Sequence, residues 1–273
     1  VDIQLLMTKL LQPLRIVRYS AANALADFRA SYTWYSWTFG WLGRMLAQVT
    51  FFALLGRLTG SDAQVRFLVI GNAVMTCAVE AMNVIATSTR ERRSGTLALL
   101  AAAPADFGWV FLGRSLEWPI SGAATSLVSL FALGPLLGVS WTAAQVPVVA
   151  LLVLLASFTT YSVGLFLSVL VIGAPGVRNI VSNTAYLSMM AICGVQVPVG
   201  FWPSWLQAVA AVLPLTHALA AVRAVAAGES AASVTLAASA AAVCGAGWLL
   251  AAMTAFRFMA RRGRGRGAFE FSA

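Results

Sequence analysis

Residues 118–177 read WPISGAATSLVSLFALGPLLGVSWTAAQVPVVALLVLLASFTTYSVGLFLSVLVIGAPGV, sixty consecutive positions without Asp, Glu, Lys or Arg. A helix that faces water cannot run that long without charge, and one bilayer crossing takes about 20 apolar residues. The stretch therefore accommodates two membrane spans, expected at residues 107–137 and 146–172, with a turn from Gly138 to Trp141 between them. Charge-free gaps also separate Arg178 from Arg223 and Glu229 from Arg257.

Hydropathy places four more spans, at residues 34–55, 67–87, 180–197 and 231–258. The first opens on Tyr32, Trp34, Tyr35, Trp37 and Trp41, an aromatic cluster suited to the headgroup belt. Residues 198–228 are apolar but broken by Pro198, Pro203 and Pro214 into pieces too short to cross, so they are expected to be re-entrant or interfacial. The expected fold is an all-α integral membrane protein: one permease-sized domain of six transmembrane helices, an interfacial helix over residues 1–31, and re-entrant helices before the last span.

Composition agrees. Of 273 residues 60% are hydrophobic and 10% charged, against about 25% charged in a soluble domain. Mean hydropathy is +0.84. These values exclude an ordinary soluble enzyme, a disordered tail and a secreted disulfide scaffold. Lys9 is the sole lysine, so no Gly-Lys-Ser/Thr phosphate loop exists. His217 is the sole histidine, which removes HExxH pairs and His-based zinc clusters. Cys77, Cys193 and Cys244 fall in three different apolar segments and read as small buried hydrophobes. Residues 1–31 carry charge throughout, so no cleavable signal peptide is expected there.

Seventeen of the eighteen basic residues are Arg, and their distribution orients the chain. With both termini inside, fourteen bases lie at cytoplasmic span ends, three (Arg57, Arg66, Arg223) lie outside, and Arg44 lies within a span. The basic tail at residues 259–273 alternates Arg with Gly as some RNA-binding tails do. Directly after a span it reads as a positive-inside anchor, and no nucleic acid partner is expected. In the N-terminal segment Leu14, Val17, Ala21, Leu25 and Phe28 share one stripe. That pattern fits a helix lying on the membrane surface or a cytosolic amphipathic helix packed on a partner.

Residues 88–106 are the expected cytoplasmic loop between spans two and three. After the charged run Arg90, Glu91, Arg92, Arg93 come Gly95 and Thr96, then Leu97, Leu99 and Leu100, then Pro104. Ser94 or Thr96 can cap a short helix whose leucines give it an adhesive side. Composition alone leaves this a loop helix or a docking knob for a soluble partner.

The run Glu91, Arg92, Gly95, Thr96, Leu97, Leu99, Leu100, Pro104 resembles the cytoplasmic segment of ABC-2 type transporter permeases. A second run, Pro214, Leu215, Thr216, Arg223, resembles the segment before the last span in that family, as in permeases of the daunorubicin-resistance type. Order, separation and span count fit along essentially the whole chain. The resemblance implies one permease subunit of an ATP-driven exporter. A second permease subunit (homodimer or paralogous heterodimer) would complete the path. Two copies of an ABC ATPase would hold ATP and Mg, with no cofactor on this chain. Residues 91–104 would enter a cleft on the ATPase, seated with help from the N-terminal helix. Where the family often has an acid two residues after Thr96, this chain has Ala98.

Charge inside a span is costly and marks function or pairing. Arg44 and Glu80 lie at similar depth, within about one helical turn, in adjacent antiparallel spans. A salt bridge is expected between them, with Asn83 one turn from Glu80 on the same face; a path-lining role is the alternative. Ser233, Ala237, Ala241 and Gly245 form a small-residue ridge for close packing in span six.

The expected cargo is an amphipathic drug, natural product or lipid leaving the cytoplasm or inner leaflet, with polysaccharide as the rival. Sparse Lys beside abundant Ala, Gly and Arg suits a GC-rich bacterial genome and a bacterial inner membrane. Two other classes compete: an intramembrane enzyme, which the missing catalytic constellations disfavour, and a non-transporting immunity or scaffold protein.

Overall fold

The computed structural model describes residues 3–31, 33–87 and 106–266, whose regular secondary structure is all helical, with no strand among them. The helices are α1 (Ile3–Ser31), α2 (Gly43–Leu58), α3 (Asp62–Ala81), α4 (Phe107–Arg114), α5 (Glu117–Val128), α6 (Gln145–Gly173), α7 (Arg178–Ile192), α8 (Ser204–Ala211), α9 (Pro214–Ala226) and α10 (Ala231–Arg266). A π-helical segment, Ser36–Leu42, leads into α2, and a second, Ser129–Leu133, extends α5. Among the described residues five helical stretches are long and apolar enough to cross a membrane: Ser36–Leu58, Asp62–Thr87, Phe107–Leu133, Gln145–Gly173 and Ala231–Arg262.

At the centre stands α3. Ser61 caps it, accepting from the Gln64 amide, and Asp62 complements the dipole of its first turn. It packs against α2, α5, α6 and α9, and from Leu68 to Ala81 every residue but Val79 is buried. Between apolar helices in lipid, water supplies little driving force, so close approach and dispersion must hold the bundle. Small residues permit that approach. A Cβ on Gly122 of α5 would lie 2.9 Å from the Cys77 carbonyl oxygen and 3.0 Å from Glu80 Cβ. On α10, a Cβ at Gly245 would meet Thr159 Cβ of α6 at 2.6 Å. The ridge expected on the last span thus packs inside the subunit, with Ala241 fully buried.

The stretch expected as span three is a helix in two parts, apolar enough to cross from Phe107 to Leu133. A break at Ser115 and Leu116 separates α4 from α5. The Leu112 carbonyl, which has no i+4 donor there, accepts from the Tyr161 hydroxyl of α6 at 2.8 Å. After the second π segment Gly138 turns the chain at φ 89°, and the Trp141 indole donates back to the Leu130 carbonyl.

The expected fifth span, residues 180–197, differs. Its helix stops at Ile192 and has 15 residues, about 22 Å at 1.5 Å per residue. Gly194, at φ 83°, turns the chain toward Pro198. The segment still runs along α3 in the opposite direction. Its first turn shares a cleft with Asn83 and Ala86, and Gln196, beyond its end, bonds Asn72 at 3.3 Å. The proline-broken stretch forms α8 and α9, bent by 87°.

Outside this bundle α1 lies against α4 as one helix running through Pro13. A Cβ on Gly113 would be 2.7 Å from the Val17 carbonyl oxygen, and Arg114 pairs with Asp27 at 3.1 Å. Ser20 and Ala24 are buried there, whereas Leu14 and Leu25 of the expected stripe stay exposed.

Candidate functional site

Polar side chains inside the bundle collect along α3. Asn72, Thr76 and Glu80 recur every four residues and are fully buried. Opposite them on α5, Ser121, Thr125 and Ser129 recur at the same interval and are buried too. The Thr125 hydroxyl donates to one Glu80 carboxylate oxygen. Trp37, in the first π segment, donates to Ser121 at 3.0 Å. The Trp41 indole approaches the carboxylate but falls outside hydrogen-bond geometry, and the second Glu80 oxygen has no donor among the described residues.

The expected Arg44–Glu80 salt bridge does not form. The Arg44 guanidinium lies over the Trp41 ring, 5.0 Å from its centroid, while Glu80 turns to α5. The widened π turns over Ser36–Leu42 shift the register just before Arg44, so a regular 3.6-residue wheel misplaces its face. Such π segments concentrate at functional sites.

Arg44 points instead into a cleft of about 530 Å³ bounded by α2, α3 and α7. From α2 and its π segment come Trp41, Arg44 and Gln48; from α3, Val79, Met82, Asn83 and Ala86. The first turns of α7 add Arg178, Asn179, Ser182, Asn183 and Tyr186. Asn83, expected to complete a network with Glu80, belongs to this cleft. Sequence reading missed the α7 contribution, although Asn179, Ser182, Asn183 and Tyr186 recur at helical spacing in an otherwise apolar segment.

The second family-like run builds an elbow. Pro214 opens α9, Leu215 is fully buried, and the Thr216 hydroxyl donates to the Ala210 carbonyl at 2.7 Å across the bend. Arg223 donates to the carbonyls of Gly194 at 2.6 Å and Phe67 at 3.1 Å, with its guanidinium 3.6 Å from the Phe67 ring centroid. It ties α9 to the end of the α7 segment and the start of α3.

Glu91, Arg92, Gly95, Thr96, Leu97, Leu99, Leu100 and Pro104 lie outside the described residues. The positions flanking them are anchored. Thr87 accepts from the Trp118 indole of α5 at 2.8 Å. Asp106 caps α4 through the Gly108 amide and pairs with Arg257 of α10 at 2.8 Å.

These features define a polytopic helical membrane protein with a polar cleft among its spans. The family profile of ABC-2 type transporters matches residues 22–226, and the chain belongs to that family. It is a membrane permease component of an ABC transporter, a transport subunit rather than a catalyst, in a family whose permeases work with ABC ATPase partners. No curated protein and no solved structure matches the chain.

Proposed function

We propose that this chain is the transmembrane subunit of an ABC exporter of the daunorubicin-resistance type, in the inner membrane of a bacterium. It moves an amphipathic drug, natural product or lipid outward. Two permease copies form the path, and two separate ATPase subunits hold ATP and Mg.

The observation that carries this reading is where the polar cleft opens. It lies between the Thr87 end of α3 and the Arg178 end of α7. Arg178 and Arg257 sit at that end of the bundle, Arg90, Arg92 and Arg93 follow Thr87 in the sequence, and Arg57, Arg66 and Arg223 sit at the other end. By the positive-inside rule the cleft faces the cytoplasm and inner leaflet, as export requires. The antiparallel run of α7 along α3 supports a sixth crossing despite its length. With α8 and α9 dipping in from outside and returning, both termini are cytoplasmic.

Residues 88–106 carry the coupling. Their flanks are bound to α5 through Thr87 and to α10 through Asp106, so a push from a docked ATPase reaches two spans at once.

Purifying the permease with its ATPase and measuring native mass tests the assembly, with inverted vesicles testing direction. Two 28.8 kDa permease chains with two ATPase chains, and ATP-dependent uptake into inverted vesicles, are expected. A monomer that moves cargo without an ATPase contradicts the reading.

A further inference from the structure

We propose that the cleft between α2, α3 and α7 holds the anionic headgroup, phosphate or carboxylate, of an amphiphile. This inference names the cargo chemistry and rests on the exporter reading above.

The cleft carries two positive charges and, among the described residues, no negative one. Arg44 and Arg178 both line it, and neither makes an ion pair among the described residues. Among the described residues Arg178 reaches the neighbouring Asn179 side chain and Arg44 the face of Trp41. Two more donors on its walls, Gln48 Nε2 and Asn83 Nδ2, have no acceptor among the described residues, and the Trp41 indole N–H, which approaches Glu80, completes no hydrogen bond. Among the described residues no Asp or Glu lines the cleft. Glu80 projects from α3 toward Thr125, about 100° around the helix from the face that carries Val79, Met82, Asn83 and Ala86.

Unpaired buried donors and a guanidinium within a span, as at Arg44, are costly unless a negative group completes them, and Arg178 adds a second positive charge at the mouth of the cleft. Arg holds phosphate and carboxylate with paired donors in a planar fork. The volume, about 530 Å³, lies within the range of small-molecule sites. Val79, Met82 and Ala86 give the cleft an apolar wall along α3, where the first part of a tail can lie. A purely apolar drug would leave both guanidinium groups without a counter-charge and Gln48 and Asn83 without an acceptor. The fit is therefore to an acidic amphiphile, supplied either as cargo or as a resident anionic phospholipid.

The test is equilibrium binding to the purified full chain in neutral detergent. The probes are fluorescent dodecyl phosphate, a neutral dodecyl glycoside bearing the same dye, and inorganic phosphate as competitor. Dodecyl phosphate should bind well above the glycoside. Arg44→Gln and Arg178→Gln should each weaken it about tenfold, the loss of one charge-assisted contact, while the Lys variants keep most of the affinity. Thermal unfolding of each variant separates a lost contact from a lost fold. Native mass spectrometry from nanodiscs of phosphatidylcholine with or without phosphatidylglycerol assigns the source. Retained phosphatidylglycerol that blocks dodecyl phosphate marks a resident lipid, and free access marks cargo; either result upholds an anionic site. Equal binding of phosphate and glycoside probes, or unchanged affinity in the folded double Gln variant, overturns the proposal. ATPase co-purification is scored on the same samples: its loss would sink the exporter reading and leave the binding result standing, and the converse also holds.

Discussion

At the residue scale, the fully buried Glu80 is bound through one oxygen to Thr125. Thr125→Val removes that donor and strands both carboxylate oxygens, so it should destabilise the permease by about 1–3 kcal/mol, whereas Glu80→Gln should cost less because an amide needs less solvation. Denaturant unfolding in mixed micelles measures both. A Thr125→Val variant as stable as wild type would mean that the contact contributes nothing. The depth and cost of an intramembrane carboxylate were legible from the sequence; its partner was not. Depth follows from counting residues, but direction depends on helix phase, and Ser36–Leu42 changes that phase before Arg44. The serine and threonine ladder at 121, 125 and 129 was present at four-residue spacing, hidden because small hydroxyls barely lower the hydropathy of a span.

At the element scale, two interactions tie the ends of residues 88–105 to the bundle. Asp106→Ala removes both the cap of α4 and the pair with Arg257. The exposed ion pair itself is worth at most about 1 kcal/mol, so the folded permease should survive. Transport per ATP hydrolysed should fall, because α10 no longer follows the loop. Unchanged coupling in a reconstituted system would assign the signal to Trp118 and α5 alone. Gly122→Val tests packing instead: bulk between α3 and α5 has nowhere to go, and overpacking costs about 1–3 kcal/mol or more. Reduced melting temperature is expected; a wild-type value would show that the two helices separate freely. The helix α6 lies within one residue of its hydropathy bounds at either end, whereas α3 starts five residues before the expected 67 and α10 runs eight past the expected 258, because a helix continues beyond the apolar stretch until a cap or turn stops it. For α7 hydropathy overran the helix end, because residues 193–197 remain apolar while Gly194 already turns the backbone.

At the scale of the whole molecule, the proposed arrangement of six crossings with α8 and α9 entering from outside predicts a labelling pattern. In a cysteine-free background, Cys at Ser204, Gln207 and Glu229 should react with an impermeant thiol reagent applied outside, and Cys at Val212, at the bend beside Trp248, should not. Reaction from the cytoplasmic side only would invert the arrangement. The central claim is that a separate ATPase drives this permease through residues 88–106. Burying the side formed by Leu97, Leu99 and Leu100 in a partner cleft contributes roughly 1.5–3 kcal/mol per fully buried Leu. A carboxylate at position 97 would be desolvated there without a partner. The most direct measurement is the amount of ATPase retained on the purified permease, wild type against Leu97→Asp, at equal membrane expression. The account predicts stoichiometric ATPase on the wild type and its loss from an inserted, dimeric Leu97→Asp permease. Full retention on that variant would contradict it.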